Sequence, residues 1–307
     1  MLLCSLRSTT VCALTYHRIN AGQAIFPGLD VDIFREQMTW LKRRCRILHP
    51  DEFSDSLDAP RSTVPRVLVT FDDGYRDFLE VAYPILHELK IPALLFLPTA
   101  FIGANDLIWT DALTAAMTVC GERSGRLPVS RDVSMQLNSP VERRRFVQRA
   151  NTELKKLPDR ERREALGQLL AELRVEAPQR AVDRQMLDWN EVRALMPLTT
   201  IGGHSHQHPI LAGLSPDEQR SDLTISTQLL RRELGSSPRY FAYPNGTQRD
   251  FTPTTQQILR ELGYELAFST IAGLNGGMSD RFSLLRQPTG CRTVNDFAWL
   301  VHGLTSG

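Results

Sequence analysis

The 307-residue sequence lacks any apolar run long enough to cross a bilayer. A transmembrane helix needs about 18 to 20 consecutive apolar residues, so the sequence predicts no spanning segment. The first apolar run, residues 1–4, is short and is soon followed by Arg7. A secretory signal instead has a basic start, a longer apolar stretch and a small-residue cleavage site. We therefore expect a cytoplasmic location.

Cysteine is scarce, and neither sign of charge is in excess. The five cysteines are an odd number, and no two have the C-x-x-C spacing of a metal site. A disulfide framework is therefore not expected, and reduced thiols also favour the cytoplasm. The 36 basic and 35 acidic residues leave a formal net charge of +1. Such a balance gives no reason to expect nucleic acid or an anionic membrane as a partner.

Short β-rich apolar runs alternate with amphipathic helical patterns along much of the chain. The strand-like runs are residues 11–16, 67–71, 93–97, 199–202, 240–243, 266–269 and 284–285, and the helical patterns are residues 34–48, 78–89, 216–234 and 254–262. Strands that alternate with helices indicate a parallel sheet. About seven such units predict an α/β fold of the distorted (β/α) barrel type, whose active site lies at the C-terminal ends of the strands.

Residues at about 102–185 interrupt this alternation. They contain a charged helical segment, residues 141–156, which ends at Pro158. A second helical pattern follows with a leucine stripe on one face, formed by Leu166, Leu169, Leu170 and Leu173. We interpret this stretch as a helical insertion within a single domain, residues 1–307. The sequence shows no internal repeat and no low-complexity segment.

Two adjacent carboxylates follow one of the predicted strands. They lie in the segment T-F-D-D-G-Y, residues 70–75, directly after an apolar run. On a continuing strand Asp72 and Asp73 would point to opposite faces, but Gly74 lets the chain turn, so that both can approach one site. Buried carboxylates without partners are costly. The structural alternative is a helix-capping aspartate beside a surface aspartate.

Three histidines lie in the segment G-G-H-S-H-Q-H-P, residues 202–209. His204 and His208 are four residues apart, a spacing that places two imidazoles on one face of a helical turn, where they can share a cation. His206 then points elsewhere. The rival pairing is H-x-H on an extended strand, formed by His204 and His206, as in metal-dependent amidohydrolases. Two histidines and one carboxylate suit zinc or another first-row divalent metal that acts on water, and the second carboxylate is free to be a base.

These two motifs resemble those of a known family. Residues 70–75 resemble the first motif of polysaccharide deacetylases, the NodB-homology family or carbohydrate esterase family 4, and residues 204–208 resemble its second motif, H-[ST]-x-x-H. The resemblance includes D-W at 188–189 and F-A-Y-P-N-G at 241–246, and covers most of residues 11–290 apart from the insertion. It implies a distorted (β/α) barrel that removes N-acetyl, or less often O-acetyl, groups from an amino-sugar polysaccharide or oligosaccharide.

The resemblance also implies a role for each motif residue. It makes Asp72 the general base, and it makes Asp73, His204 and His208 the ligands of a divalent metal, for which zinc is the first expectation. The turn at Pro-Asn-Gly is retained, so we expect the backbone N–H of Asn245 to donate to the oxyanion. The expected partner is an N-acetylated glycan. The sequence makes no prediction about the oligomeric state.

The sequence departs from the family pattern in two places. Many members carry an arginine at the position of Ala242, where it holds the catalytic carboxylate; we expect Arg286 to supply this charge and to pair with Asp72. Many members also end with an L-x-H motif whose histidine is the general acid. His17, at the end of the first predicted strand, fits this role better than His302, which lies in a helical stretch. A barrel that begins with that strand resembles the circularly permuted branch of the family, which acts on exported poly-N-acetylglucosamine and related exopolysaccharides.

Two other functions remain as alternatives. One is a carbohydrate-binding relative that has lost catalysis, and the other is a metal-dependent hydrolase of a non-sugar amide. The intact set formed by Asp72, Asp73, His204 and His208 argues against the first alternative. The second shares the same chemistry, and a comparison of N-acetylated glycans with cyclic amides as substrates would separate it from the deacetylase.

Overall fold

The structure is a computed structural model that describes residues 10–20, 26–60, 62–196 and 198–303. Its strands are β1 (Val11–Tyr16), β2 (Ile19–Asn20), β3 (Leu29–Asp30), β4 (Arg46–Ile47), β5 (Arg66–Phe71), β6 (Ala93–Leu97), β7 (Ser124–Arg126), β8 (Ser134–Gln136), β9 (Thr199–Gly203), β10 (Tyr240–Ala242), β11 (Leu266–Phe268) and β12 (Gln287–Pro288). Its α-helices are α1 (Val31–Arg44), α2 (Phe53–Leu57), α3 (Tyr83–Leu89), α4 (Trp109–Val119), α5 (Pro140–Leu154), α6 (Asp159–Glu172), α7 (Trp189–Leu195), α8 (Pro216–Leu234), α9 (Pro253–Glu261) and α10 (Val294–Val301).

Eight of these strands form one sheet in which all pairings are parallel. The order is β11-β10-β9-β6-β5-β1-β12, and β4 also pairs with β5. The pairing of β1 with β5 runs over the whole of both strands, from Val11 opposite Arg66 to Tyr16 opposite Phe71. Parallel neighbours require crossover connections, which the helices supply. The α/β fold predicted from the sequence is confirmed.

The last part of the chain closes the curved sheet into a distorted barrel. Leu284 forms a parallel bridge with Phe268 at the end of β11, and regular pairing with β1 begins at Gln287. The predicted strand at 284–285 is therefore wrong in its extent. The reason is that the backbone of Leu285 pairs with a side chain: the amide group of Asn275 accepts from its N–H and donates to its carbonyl, both at 2.8 Å.

The central strands are buried on both faces. Every residue of β1, β5 and β6 is buried, because helices cover the outside of the sheet and side chains fill the inside. On the outer face the rings of Tyr16, Phe34 and Phe71 pack together, with centroids 5.1 to 5.9 Å apart. Burial of each such side chain contributes about 1.5–3 kcal/mol, so the strands that carry the site motifs stand on a firmly packed core.

Local signals explain where the helices begin and end. Helix α8 has the predicted bounds because Ser215 and Glu218 form a capping box at its start, and Gly235, with φ of 76°, ends it. Helix α1 begins earlier than the predicted residues 34–48 because the side chain of Asp30 caps its first turn, and it ends sooner because the backbone becomes extended at Cys45, just before β4. The predicted helix at 78–89 starts with a π-helical turn, Phe78–Ala82, before α3.

The insertion between β6 and β9 packs around an apolar cluster of its own. Helices α4, α5 and α6 contribute Leu113, Phe146 and Leu169 to this cluster, and the β7–β8 hairpin lies beside it. The chain then returns along the first motif, where the N–H of Leu187 donates to the carbonyl of Gly74 at 3.0 Å. The end of the insertion therefore supports the turn that carries the two aspartates.

Two expectations concern properties of the whole chain. Among the described residues, no helix combines the length and the apolar character needed to cross a membrane. The cysteines in the described part of the chain are free thiols: Cys12, Cys45, Cys120 and Cys291. Cys4 lies outside the described residues.

Candidate active site

Three side chains from two loops converge on one buried point. Asp73 follows β5, and His204 and His208 follow β9. The Oδ1 atom of Asp73 lies 3.3 Å from Nε2 of His204 and 3.2 Å from Nε2 of His208. All three residues are buried, and one potential ligand atom from each lies within 4.8 Å of the others. Among the described residues, Oδ1 of Asp73 has no hydrogen-bond partner, an arrangement that suits a shared cation.

Both loops reach this point through unusual backbone conformations. Asp73 and Gly74 have φ of 74° and 69°, so the left-handed turn predicted at Gly74 includes the aspartate before it. A Cβ atom on Gly74 would lie 2.6 Å from the side chain of Leu97. In the second loop, Ser205 and His208 have φ of 65° and 52°. Such conformations at non-glycine residues cost of order 1–3 kcal/mol each, and they occur mainly at functional sites.

The ring of His204 is oriented by a backbone carbonyl. Its Nδ1 atom donates to the carbonyl of Ala242 at 2.7 Å, so Nε2 has the free lone pair that faces Asp73. Ligating histidines commonly have such an outer partner, which fixes both the tautomer and the ring. For His208 the N–H of the backbone donates to Oγ of Ser205 at 3.1 Å. Within the described residues, Nδ1 of His208 has no hydrogen-bond partner.

Electrostatics at the convergence point favour an ionised carboxylate. Burial raises the pKa of Asp73, but the two imidazoles against Oδ1 outweigh burial and hold this pKa well below its ordinary value. Burial lowers the pKa of His208. Burial also lowers the pKa of His204, but contact with Asp73 opposes it and the net direction is upward.

Asp72 lies beside this group and pairs with Arg286, as the sequence predicts. Nη1 and Nη2 of Arg286 donate to Oδ1 and Oδ2 of Asp72 at 2.7 and 2.8 Å. The guanidinium is fully buried, and it also donates to the carbonyl of Ser269 and to Oγ1 of Thr70. Burial raises the pKa of Asp72, but the positive charge of Arg286, together with His204 and His17, outweighs burial and lowers it. The carboxylate is therefore held ionised in the interior.

His17 lies beside Asp72, and Asn245 follows β10, the strand whose last carbonyl orients His204. His17 follows β1, and its Nε2 lies 3.8 Å from Oδ2 of Asp72, with about half of the side chain (49%) exposed. Asn245 lies in the turn after β10, in a left-handed conformation with φ of 62°. Its carbonyl accepts from Oγ1 of Thr270 at 2.6 Å. In the described part of the chain, its backbone N–H has no hydrogen-bond acceptor.

Two histidines considered from the sequence do not join the site. The Nδ1 atom of His206 is hydrogen bonded to Oγ1 of Thr99 at 2.9 Å, so the ring turns away from His204 and His208. Among the described residues, the group that could hold a metal ion contains His204 and His208 but not His206, so the structure does not bring the rival H-x-H pair together at this point. His302 follows α10 and lines a surface cavity with residues of α1 and α10, apart from the motif residues.

Arg18 is a charged residue beside the site that the sequence analysis missed. Its guanidinium stacks on the ring of Tyr75, 3.5 Å from the centroid. It lies 3.0 Å from Oδ2 of Asp111 on α4 and 3.6 Å from Oδ2 of Asp77. Burial raises the pKa of both carboxyl groups, and that of Asp77 reaches about 7. No local spacing indicates this cluster, because its members come from separate parts of the chain.

Both the sequence and the fold of the chain are similar to those of known proteins. The family model "Polysaccharide deacetylase" matches residues 60–267. In fold, the chain is similar to the deacetylase PplD of Streptococcus pyogenes, with a TM-score of 0.63 and 19% identity over 95% of this chain and 98% of that one. It is also similar to IcaB from Ammonifex degensii, with a TM-score of 0.59 and 21% identity over 98% of this chain and 99% of that one.

One relative is similar in sequence over a shorter segment. The putative polysaccharide deacetylase YxkH of Bacillus subtilis (strain 168) is 34% identical over 92 residues, which are 29% of this chain and 32% of that protein. The match thus spans about a third of YxkH. The family match is broader, since residues 60–267 are more than half of the chain and include both site motifs. On this ground the chain belongs to the polysaccharide deacetylase family.

Proposed function

We propose that this protein is a metal-dependent hydrolase that removes N-acetyl groups from an amino-sugar polysaccharide or oligosaccharide. The observation that carries the proposal is the convergence of Asp73, His204 and His208 next to the buried pair of Asp72 and Arg286, in a member of this family. PplD, which is similar in fold, is named as a deacetylase in complex with acetate, the product expected here.

The three converging residues fit a divalent cation. One carboxylate oxygen and two imidazole nitrogens are a common ligand set for zinc in hydrolases, with positions left for water and substrate. The unpartnered Oδ1 of Asp73 and the oriented ring of His204 are consistent with such a site. When bound, the cation supplies Lewis acidity toward a water molecule and toward the acyl oxygen of the substrate. Zinc is our first expectation, and other first-row divalent metals fit the same ligands.

Asp72 acts in this proposal as the general base. It is adjacent in sequence to a ligand, and its carboxylate is kept ionised by Arg286. Each carboxylate oxygen has two lone pairs, so an oxygen that accepts from Arg286 can still take a proton from the attacking water. Arg286 itself keeps the carboxylate in place and does not touch the substrate in this scheme.

His17 and Asn245 complete the proposed reaction. The nitrogen of an amide must receive a proton before it leaves, and His17 stands close enough to Asp72 to give that proton at the open side of the site. The backbone N–H of Asn245 donates to the oxyanion that forms on the acyl group. Support for this role comes from its place in the turn after β10, three residues beyond the carbonyl that orients His204.

Acetate release from defined N-acetylated oligosaccharides tests the proposal. We expect turnover to be lost after chelation and restored by zinc. Asp72→Asn should keep the metal but lower kcat by ~10²-fold or more, the usual contribution of a positioned base. His302→Ala is the matched control, since His302 lies apart from the motif residues. Normal turnover in Asp72→Asn would remove Asp72 from the mechanism, and activity on cyclic amides but not on glycans would favour the non-sugar alternative.

The same assay, run across pH, examines the proposed acid. His17→Ala should lower kcat and flatten the alkaline limb of the profile while metal content stays unchanged. His302→Ala serves as its control, because His302 lies apart from the motif residues. If the alkaline limb changes in His302→Ala and not in His17→Ala, the role of His17 is refuted.

A further inference from the structure

Side chains of helix α8 form hydrogen bonds with the backbone of the loop that carries His204 and His208. This helix contributes none of the residues expected to bind metal or substrate. The loop needs support, because Ser205 and His208 both have left-handed backbone conformations. A free loop would leave these conformations for less strained ones, and the two Nε2 atoms would then no longer face Asp73.

Asp222 on α8 makes the closest contacts with this loop. Its Oδ1 accepts from the backbone N–H of His206 at 2.8 Å, and its Oδ2 accepts from the backbone N–H of Gln207 at 3.0 Å. These are two consecutive N–H groups, and they lie in sequence between His204 and His208. Hydrogen bonds to an ionised carboxylate are roughly twice as strong as those between neutral groups, so Asp222 fixes the backbone between the two histidines.

Two further contacts secure the start of the same loop. One turn along α8, Oγ of Ser226 donates to the carbonyl of Ser205 at 2.9 Å. The backbone N–H of Thr99, in the loop after β6, donates to that same carbonyl at 3.2 Å. The side chain of Thr99 also holds the ring of His206 on the side away from the metal ligands. The loop is thus fixed from both sides, and Asp222 supplies the only carboxylate among these contacts within the described residues.

We propose that Asp222 is a positioning residue of the metal site, which fixes the separation of the two imidazoles by holding the N–H groups of His206 and Gln207. The inference rests on the metal site of the proposed function. Without Asp222, a cation would have to order the loop as it binds, and part of its binding free energy would be lost. Outer partners of metal ligands are typically worth about 10- to 100-fold in metal affinity.

The chemistry of the contact distinguishes aspartate from its nearest substitutes. Asparagine offers one acceptor oxygen, and its amide group would place a donor against the N–H of Gln207. Asp222→Asn should therefore lose one of the two hydrogen bonds, and Asp222→Ala should lose both. We expect zinc affinity to fall by roughly tenfold in the first variant and by up to roughly 100-fold in the second.

The test measures the zinc Kd of the full chain by competition with a chromophoric chelator. Asp217→Asn is the matched control, because Asp217 is an exposed aspartate in the first turn of the same helix. Urea unfolding of each variant in EDTA provides a second measurement. If Asp222 positions the ligands, zinc affinity falls while metal-free stability changes little, and excess zinc restores most of kcat.

Different outcomes separate this inference from the proposed function. If wild type binds zinc and Asp222→Ala binds it equally well, the positioning role is refuted and the proposed function stands. If both Asp222 variants lose metal-free stability but keep the wild-type Kd, Asp222 is a structural residue only, which also refutes the role. Wild type that binds no zinc would overturn the proposed metal site and this inference together. Should Asp222→Ala not fold, the comparison of Asp222→Asn with Asp217→Asn decides.

Discussion

Two arginines are buried beside the candidate site, and they differ in the number of carboxylates that each one faces. Arg286 pairs with a single carboxylate, that of Asp72, through two hydrogen bonds of 2.7 and 2.8 Å. Arg18 lies between two carboxylates, with Asp111 at 3.0 Å and Asp77 at 3.6 Å. Both arginines are almost completely shielded from solvent, so the ratio of guanidinium to carboxyl groups strongly affects the pKa values of the carboxyl groups.

The pKa values follow this ratio. Burial raises the pKa of every carboxyl group involved, but at Asp72 the charge of Arg286, together with those of His204 and His17, reverses the effect and lowers the pKa. At the second group one guanidinium is shared, and the pKa values of Asp77 and Asp111 stay raised, that of Asp77 at about 7. The first pair can therefore keep a base ionised. The second group, formed by Arg18, Asp77 and Asp111, has two carboxyl groups for one guanidinium. Its members follow β1, follow the first motif and lie on α4, so the group links these three parts of the chain.

Removal of Arg286 from its pair with Asp72 should lower the free energy of unfolding more than any other change considered. Arg286→Gln leaves the Asp72 carboxylate buried without a partner, and loss of one member of a buried pair costs about 3–5 kcal/mol. In wild type the lowered pKa of Asp72 adds stability above the ordinary carboxyl range, and this contribution is lost as pH falls through the folded pKa. We therefore expect the stability deficit of the variant to be largest at neutral pH and to shrink in acid.

Urea unfolding at pH 7 and in acid measures this deficit, and the acid limb of kcat should also move to higher pH in Arg286→Gln. Arg281→Gln is the control, because Arg281 is a partly exposed arginine that pairs with Asp58. Equal losses of stability in the two variants would show that burial of the Arg286 pair has no special weight.

Removal of Arg18 should lower the free energy of unfolding less than removal of Arg286. Asp77 and Asp111 already have raised pKa values, so they can take up protons when the cation is lost. We expect Arg18→Gln to lower the free energy of unfolding by about 1–3 kcal/mol, the cost of buried polar groups left unsatisfied. The folded pKa values rise further above their unfolded values, so the loss should grow as pH rises from 5 to 8. Unfolding measured at both values checks this, and the same loss at each would contradict it.

The smallest change in the free energy of unfolding is expected from Asp77→Asn, which leaves Arg18 with the single carboxyl group of Asp111. Asp77→Asn removes a carboxyl group whose folded pKa, about 7, lies above the ordinary value. Wild type loses stability as pH rises from the ordinary carboxyl range to about 7, because the folded state must give up a proton that it holds tightly. The variant should therefore be more stable by roughly 0.5–2 kcal/mol at pH 8, with little difference at pH 4. A Tm at pH 8 below that of wild type would show that Asp77 is needed as an anion.

The sequence predicted best the features that depend on neighbouring residues. Helix α8 has the predicted bounds because its capping box and its terminal glycine lie at its own ends. The six residues of β1 were found because strand burial on both faces produces a continuous apolar run. The strand at 284–285 was placed wrongly, since the contact that decides its backbone is the side chain of Asn275, ten residues away.

The site itself divides in the same way. Asp72 and Asp73 are adjacent, and His204 and His208 share one loop, so spacing indicated each motif; the donor chemistry and the family resemblance then joined the two motifs in one expected site. The pairing of Arg286 with Asp72 was expected only from the arginine missing at Ala242, and it joins residues 214 positions apart. Arg18 with its two carboxylates and Asp222 with its two N–H groups were not expected, because neither contact leaves a periodic or local pattern.

By itself, then, the sequence determined the alternation of strands and helices, the ends of α8, and the two motifs expected to carry the ligands, since each of these depends on residues within a few positions of one another. Only the tertiary structure decided which charge faces which. The order and register of the parallel strands bring β1, β5, β9 and the segment before β12 to one end of the barrel. Burial there makes each unpaired charge costly. The pairing with Arg286 therefore affects the pKa of Asp72, and the contacts with Asp222 hold the backbone of the loop that carries His204 and His208.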